Sequence, residues 1–390
     1  MFFAGIDVSK FKHDCIILND IGKTVTDSFT VHNNAIGFAT LLNALSSFSK
    51  ENLKIGFEAT GHYGCNLKSF LQKNGYSFVE INPLLIHNFA KQNSLRRTKT
   101  DSGDAKTIAR FLMKDDSLCA NIAPYDISEL KTLCRFRFSL KNQRKILLLR
   151  MNNVLDKIFP EFYPLFKNNL SATALFILSH YGSVQSIANL NTRSYEVIRQ
   201  VSKNTFSLPD FIRLKQLAKD SVGIHSETLE YELKTVLSLI ADISEKIEDL
   251  EKMITKIVTE INPPTLSIVG VGPLSAACII SEYEDIKRFS SSNAMLSFAG
   301  LEPSVFQSGA FAASSAHMVK HGSSYLRYAI VNCCRTLRLH NEVFASYYLK
   351  KINEEKSFNT ALIHLAKKLI RLIFALESVS YTHLTLPTIY

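Results

Sequence analysis

The chain's 390 residues exceed what one ordinary hydrophobic core organises, which implies two or three domains, and 46% hydrophobic residues with 15 Gly and 10 Pro exclude a disordered or fibrous protein. Lys and Arg outnumber Asp and Glu 45 to 35, a formal charge of +10 that favours a polyanionic partner without identifying it. No apolar run reaches the roughly 18 to 20 residues of a membrane helix, and the 7 cysteines contain no CxxC pair, so neither a membrane span nor a structural zinc site is expected.

In chain order, Phe2–Val8 opens directly as a strand, with no export signal before it. Together with the odd cysteine count, this points to reduced thiols and a cytoplasmic protein. Residues 13–19 and 23–31 complete a three-stranded meander whose second turn carries Asn19, Asp20 and Gly22. Helical spacing follows over 35–48, a strand at Leu53–Glu58, a helix over 63–73 and a strand over 77–81. A further helix starts in Lys99-Thr-Asp-Ser-Gly-Asp-Ala-Lys106 and runs to about residue 113. Antiparallel strands followed by alternating helices and strands predict a mixed sheet covered by helices, an α/β domain over residues 1–125.

Residues 128–162 read as one long basic helix, and 163–224 as shorter helices. Leu229, Leu233, Val236, Ile240, Ile243, Ile247, Leu250, Ile254, Ile257 and Ile261 then alternate steps of four and three, a heptad seam that Pro263-Pro264 ends. The seam predicts a coiled coil pairing two chains, or alternatively a core-facing helix of a bundle. Residues 126–262 thus form a basic helical and coiled-coil linker that serves oligomerisation. Residues 263–377 form a mostly α-helical C-terminal domain. Its opening Ile268-Val-Gly-Val-Gly-Pro273 resembles a helix-hairpin-helix loop, which contacts phosphates through backbone amides. From 378 to 390 the helical period is lost, and the segment reads as a non-native or disordered tail.

Four carboxylates stand out by context. Asp7 lies inside an apolar strand, where an uncompensated charge is costly, and Glu58 holds the equivalent place at the end of Lys54-Ile-Gly-Phe-Glu58. Asp101 and Asp104, three apart, share one face at a helix start. Separately they are explained by a strand-end turn or a helix dipole. Converging, they would need cations, and hard oxygen donors select a pair of divalent ions, Mg2+ or Mn2+, able to activate oxygen against a phosphodiester.

Gly5-Ile-Asp-Val-Ser-Lys10, Glu58-Ala-Thr-Gly-His-Tyr63 and Lys99-Thr-Asp-Ser-Gly-Asp-Ala105 resemble the DEDD-type insertion-sequence transposases of the IS110 family, over nearly the whole chain. The resemblance implies a ribonuclease-H-like N-terminal domain similar to the RuvC junction resolvase, with Asp7, Glu58, Asp101 and Asp104 as the metal-binding catalytic set. It also implies that Ser308, in Gln307-Ser-Gly309, is a nucleophile forming a covalent link to DNA, and that a noncoding RNA from the element guides the protein. Read without the family, Ser308 is a turn residue with no dedicated base. One departure from the family pattern is Ala316-His-Met-Val-Lys-His-Gly322, where relatives carry Gly-x-Ile-Ser-Lys-x-Gly.

Basic charge lies where nucleic acid would need it. Residues 91–114 hold seven Lys/Arg against two acids, and 131–157 eight against one, interleaved with Phe136 and Phe138. Arg96, Arg97, Lys99, Lys106, Arg135, Arg137, Lys141, Arg144, Lys145, Gly270, Gly272, Lys320 and Arg327 are the expected DNA and RNA contacts; a solvated basic helix face is the plain alternative. The sequence therefore predicts a transposase or recombinase working as a homo-oligomer on element ends and target DNA. The rivals are a RuvC-like junction-resolving endonuclease and a noncatalytic coiled-coil nucleic-acid-binding protein.

Overall fold

The computed structural model describes residues 1–81, 83–93, 101–114, 125–166, 171–302, 307–308, 311–312, 318, 320 and 322–384. The chain divides into two compact units, Met1–Tyr125 with Glu284–Ser291, and Asp126–Tyr283 with Ser292–Tyr390.

The first unit is built on strands β1 (Phe2–Val8), β2 (Lys12–Asn19), β3 (Thr24–His32), β4 (Leu53–Glu58) and β5 (Phe78–Ile81), in the order β3-β2-β1-β4-β5. β1, β2 and β3 pair antiparallel, while β4 lies parallel to β1 and β5 parallel to β4. Helices α1 (Ala35–Ser46), α2 (Cys65–Lys73), α3 (Pro83–Asn93) and α4 (Asp101–Lys114) cover this sheet. A mixed five-stranded sheet clothed by helices is compatible with the ribonuclease-H-like expectation.

Period-two alternation assigns each strand residue to a face. Ala4, Ile6, Ile55 and Phe57 pack with Leu41 and Leu45 of α1 and Leu67 and Leu71 of α2. Phe3, Val79 and Ile81 turn the other way, onto Ile86 of α3 and Ile108, Phe111 and Leu112 of α4, while Ile16 and Leu18 meet Ala105 and Ala109. Gly5 and Gly56 lie on the α4 face. A Cβ on Gly5 would stand 2.2 Å from the Ala105 carbonyl oxygen, and one on Gly56 would stand 2.8 Å from the Leu112 methyls. The absent side chain lets helix backbone rest directly on the sheet at Gly5 and makes room for Leu112 at Gly56.

His13 is fully buried on the opposite face, stacked near Phe38, and its ring nitrogens find no well-formed hydrogen bond among the described residues. Burial lowers its pKa, with the Lys12 backbone and Asp14 opposing. A folded value below the unfolded one, about 6.5, means that stability is intact above that pH and falls as acid protonates the unfolded chain. Between about pH 7.5 and 5 the wild type should lose melting temperature more steeply than His13→Leu. Equal slopes would refute this account.

The second unit is helical. α5 (Tyr125–Ile158) leads through α6 (Phe162–Leu165), α7 (Ala172–Tyr181), α8 (Val184–Ala188), α9 (Thr192–Val201) and α10 (Leu208–Lys219) to α11 (Glu227–Ile261). Ser207 and Asp210 close a capping box at the start of α10, and Ser226 caps α11. Asn262 turns left-handed at the end of α11, before Pro263 and Pro264 stop it. α12 (Pro273–Tyr283), α13 (Ser292–Phe298), the short pair β6 (Gln307–Ser308) and β7 (Phe311–Ala312), α14 (Ser324–His340), α15 (Glu342–Asn353) and α16 (Phe358–Leu384) follow.

Three expectations change here. The heptad seam of α11 is filled from within the chain, by α5 running antiparallel to it. Leu140 packs with Ile247 and Leu250, and Met151 and Val154 share a core with Leu233, Val236 and Ile240. Polar links from Arg137 to Glu251, Arg144 to Ser244 and Arg150 to Glu232 run in opposite sequence directions along the two helices. This is the bundle alternative, because an apolar stripe buries against whichever stripe is nearest.

At 264–267 the chain forms a 3-10 turn where a helix-hairpin-helix element would carry its first α-helix. Gly270, at φ +99°, still makes the turn. Finally, residues 378–384 continue α16, with Ser378 Oγ donating to the Phe374 carbonyl. Losing the apolar period does not remove the backbone hydrogen bonds of a helix. Residues 385–390 of the expected tail lie outside the described residues.

Candidate functional site

The parallel register pairs Ile6 with Phe57, so the next residues, Asp7 and Glu58, stand side by side where the two strands end. Both are half-buried, and alternation turns both to the α4 face with Gly5 and Gly56. Asp104, also half-buried, precedes Ala105, whose carbonyl lies against Gly5. The glycine thus holds the first turn of α4 at the level of Asp7. Asp101 opens the same helix, one turn before Asp104; its side chain lies outside the described residues.

The register brings Asp7 and Glu58 to one face and one end of the sheet, the face on which α4 packs. Among the described residues, no group of three or more His, Cys, Asp and Glu is close enough to hold a metal ion. The donors available are carboxylate oxygens, the chemistry hard divalent cations select. Glu58 and Asp104 make no ion pair with another described side chain, whereas Glu80 nearby is closed onto Lys68 at 2.6 Å.

A fifth carboxylate escaped the sequence reading. Asp14 lies directly across from Asp7 in the β1–β2 register and is 8% exposed. It accepts from Thr30 Oγ1 at 2.6 Å and Lys12 Nζ at 3.1 Å. The signal was present: an acid inside the apolar run His13-Asp-Cys-Ile-Ile-Leu18 faces the same burial cost that singles out Asp7.

The expected nucleic-acid contacts separate by their partners. Arg96, Arg97 and Lys99 lie outside the described residues. Lys106 is half-buried on α4 and Lys145 exposed on α5. Arg135 grips Glu282 through Nε and Nη2 at 2.6 and 3.0 Å, and Arg137 Nε reaches Glu251 at 2.7 Å. Arg144 donates to Ser244 at 3.3 Å and Arg327 to the Ala299 carbonyl at 3.2 Å. Lys320 is exposed with φ +53°.

Gly272 borders open space, while Gly270 abuts Leu337. Ser308 lies in β6 opposite Phe311, and its side chain lies outside the described residues. The glycine ending the altered Ala316–Gly322 turn has a packing reason: a Cβ on Gly322 would fall 1.9 Å from the Phe298 carbonyl oxygen.

Comparison with known proteins matches both halves. The DEDD transposase model of the IS110 family covers residues 4–160, and the model described as transposase of the IS116/IS110/IS902 family covers residues 265–349. The chain therefore belongs to the IS110 family of insertion-sequence transposases.

Among its relatives, the insertion element IS116 uncharacterized 44.8 kDa protein of Streptomyces clavuligerus is 20% identical over 384 residues, 96% of this chain and 94% of the relative. The mini-circle putative transposase for IS117 of Streptomyces coelicolor is 23% identical over 79% of this chain and 77% of its own length. The pilin gene-inverting protein of Moraxella lacunata is 34% identical over a shorter stretch, 29% of this chain and 35% of its own. No helix among the described residues is long and apolar enough to cross a membrane.

Proposed function

We propose that the chain cleaves and rejoins DNA at insertion-sequence ends, with Asp7, Glu58, Asp101 and Asp104 holding a pair of divalent ions, Mg2+ or Mn2+. The observation that carries this reading is the placement of Asp7 beside Glu58 on the face where Gly5 seats the first turn of α4. Bound there, the ions would stabilise charge at the scissile phosphate and lower the pKa of an attacking or leaving oxygen.

The chain's own residues do the rest. Paired strand ends fix two carboxylates and the docked helix supplies the others. Ser308 Oγ bonds to phosphorus as the bond to the leaving sugar oxygen breaks, and rejoining reverses that exchange. The resemblance to the family adds an element-encoded RNA that pairs with donor and target DNA. Synapsis of two DNA ends calls for more than one copy of the chain, assembled through a surface other than the α11 seam.

The test uses the full chain, Mg2+ and DNA carrying an element end. Asp7→Asn and Glu58→Gln should each lower cleavage about a thousandfold or more, the equivalent of several kcal/mol of lost charge stabilisation, with DNA binding retained. Ser308→Ala should trap no protein–DNA adduct. Full strand transfer by Ser308→Ala with no trapped adduct would overturn the serine link, undiminished hydrolysis of junctions by that variant would favour a junction resolvase, and a wild type with no metal-dependent cleavage of any end or junction would favour a binding protein.

A further inference from the structure

The second unit contains an open cavity of about 360 Å3, lined by α5, the glycine turn with the start of α12, and α14. That volume is in the range of small-molecule sites, about 300 to 1,000 Å3. Its charge is one-sided. Arg137 and Lys141 are in the wall, and no Asp or Glu is. Burial pushes the Cys134 thiol up to about 11 and raises Cys278 as well, so the two thiols lining the cavity stay neutral.

Arg137 is closed onto Glu251 outside the wall, but Lys141 has no hydrogen bond or ion pair with any described residue. Burial and then Arg137 lower the Lys141 pKa, Glu251 opposes them and Arg144 adds to the lowering. An ammonium short of counter-charge faces a cavity beside a helix start, where the first-turn amides have no partner within the helix. At α12 the amides beside the cavity are those of Gly272 and Leu274, since Pro273 has none. These three features suit a phosphate.

The other wall is aromatic. Phe138 meets Tyr325 and Tyr328 edge to face at 5.0 and 5.2 Å, and Tyr328 is 50% exposed. Asn332, further along α14, adds an amide able to meet a base edge. Cationic side chains beside aromatic rings on which a base can stack are how single strands are held without sequence reading.

We propose that this cavity receives one unstacked nucleotide of a single-stranded nucleic acid, its phosphate against Lys141 and the start of α12 and its base against Tyr328. The proposal rests on the transposase reading, which requires strands to separate at the ends being exchanged, and it adds a place where one separated nucleotide is held.

Fluorescence anisotropy of the full chain with short oligothymidylate, oligouridylate and a duplex of the same length tests it. Lys141→Gln and Tyr328→Leu should each weaken single-strand binding about tenfold and leave duplex binding unchanged. Because Lys141 makes no hydrogen bond or ion pair with a described residue in the free protein, Lys141→Gln should not lower its melting temperature, which separates lost binding from lost folding. Loss on oligothymidylate alone assigns the cavity to DNA, and loss on oligouridylate alone to RNA; either supports the proposal. Unchanged single-strand affinity in both variants overturns it, as does an equal loss on duplex, which would report only general phosphate attraction. A wild type that binds no nucleic acid at all would instead sink the transposase reading.

Discussion

Gly5→Ala is expected to destabilise the N-terminal unit by about 3 kcal/mol, the upper end of what overpacking usually costs, and to abolish DNA cleavage with it. The added methyl carbon would stand 2.2 Å from the Ala105 carbonyl oxygen and 2.5 Å from the Ala109 nitrogen. Both are backbone atoms, so no rotamer relieves the clash. Either β1 bends or α4 lifts, and lifting α4 carries Asp104 away from Asp7.

The substitution therefore couples packing to the site. A lower urea midpoint, faster amide exchange along α4 and loss of cleavage should appear together. Gly272→Ala is the control, since nothing lies within 4 Å of its added carbon; it should unfold at the wild-type midpoint. A Gly5→Ala chain as stable as wild type would show that α4 does not rest on β1.

The same close approach explains which parts of the fold were legible in the sequence. Strands β1, β2, β4 and β5 announce themselves as short apolar runs between turn residues and β3 by its Thr and Val residues, and Asp7 and Glu58 stand out because a charge in an apolar run is expensive. Neither signal contains register. The parallel pairing that sets Asp7 beside Glu58 is decided by the packing of α1 and α2 on one face and α4 on the other, which unites residues far apart in the chain. Asp14 meets the same criterion, an acid inside the apolar strand β2, and only the β1–β2 register shows that it lies across from Asp7.

The α11 seam is a different case. Its period matches a buried stripe, and of the two partners the sequence leaves open it is the helix within the same chain that fills it. Leu133, Leu140, Leu147 and Val154 recur every seven residues along α5, a second stripe in the same chain, and they share the cores into which α11 packs. A heptad reports that a stripe is buried; which stripe it meets depends on the loops and short helices between, here long enough to return α11 antiparallel to α5. Basic residues on α5 were equally ambiguous. Composition cannot distinguish an arginine waiting for phosphate from one already paired with a carboxylate distant in sequence.

Arg135 is the clearest example, and its removal should be the most damaging single change in the second unit. Glu282 is 1% exposed, yet it accepts from Arg135 Nε and Nη2 and, at 2.8 Å, from Ser323 Oγ. Ser323 also caps α14, so one carboxylate ties α12 to α5 and to the start of α14. Burial works to raise the Glu282 pKa, but Arg135, Lys131 and Ser323 outweigh it and hold the carboxyl below its ordinary value.

Arg135→Ala leaves that charge buried without its main partner and should cost about 3 to 5 kcal/mol. The pH dependence has a definite sign. Stability from the depressed Glu282 is complete above the unfolded value of about 4.3 and is lost as pH falls through the lower folded value, so the gap between wild type and Glu282→Gln should narrow in acid.

Replacing both partners, Arg135→Met with Glu282→Leu, should recover most of the stability, because a buried pair exchanged for packed apolar groups is often neutral. That double variant also decides what Arg135 does for nucleic acid. Retained DNA affinity in a folded Arg135→Met, Glu282→Leu chain would assign the arginine to holding helices together, whereas a several-fold loss at unchanged melting temperature would show that the same guanidinium also meets phosphate.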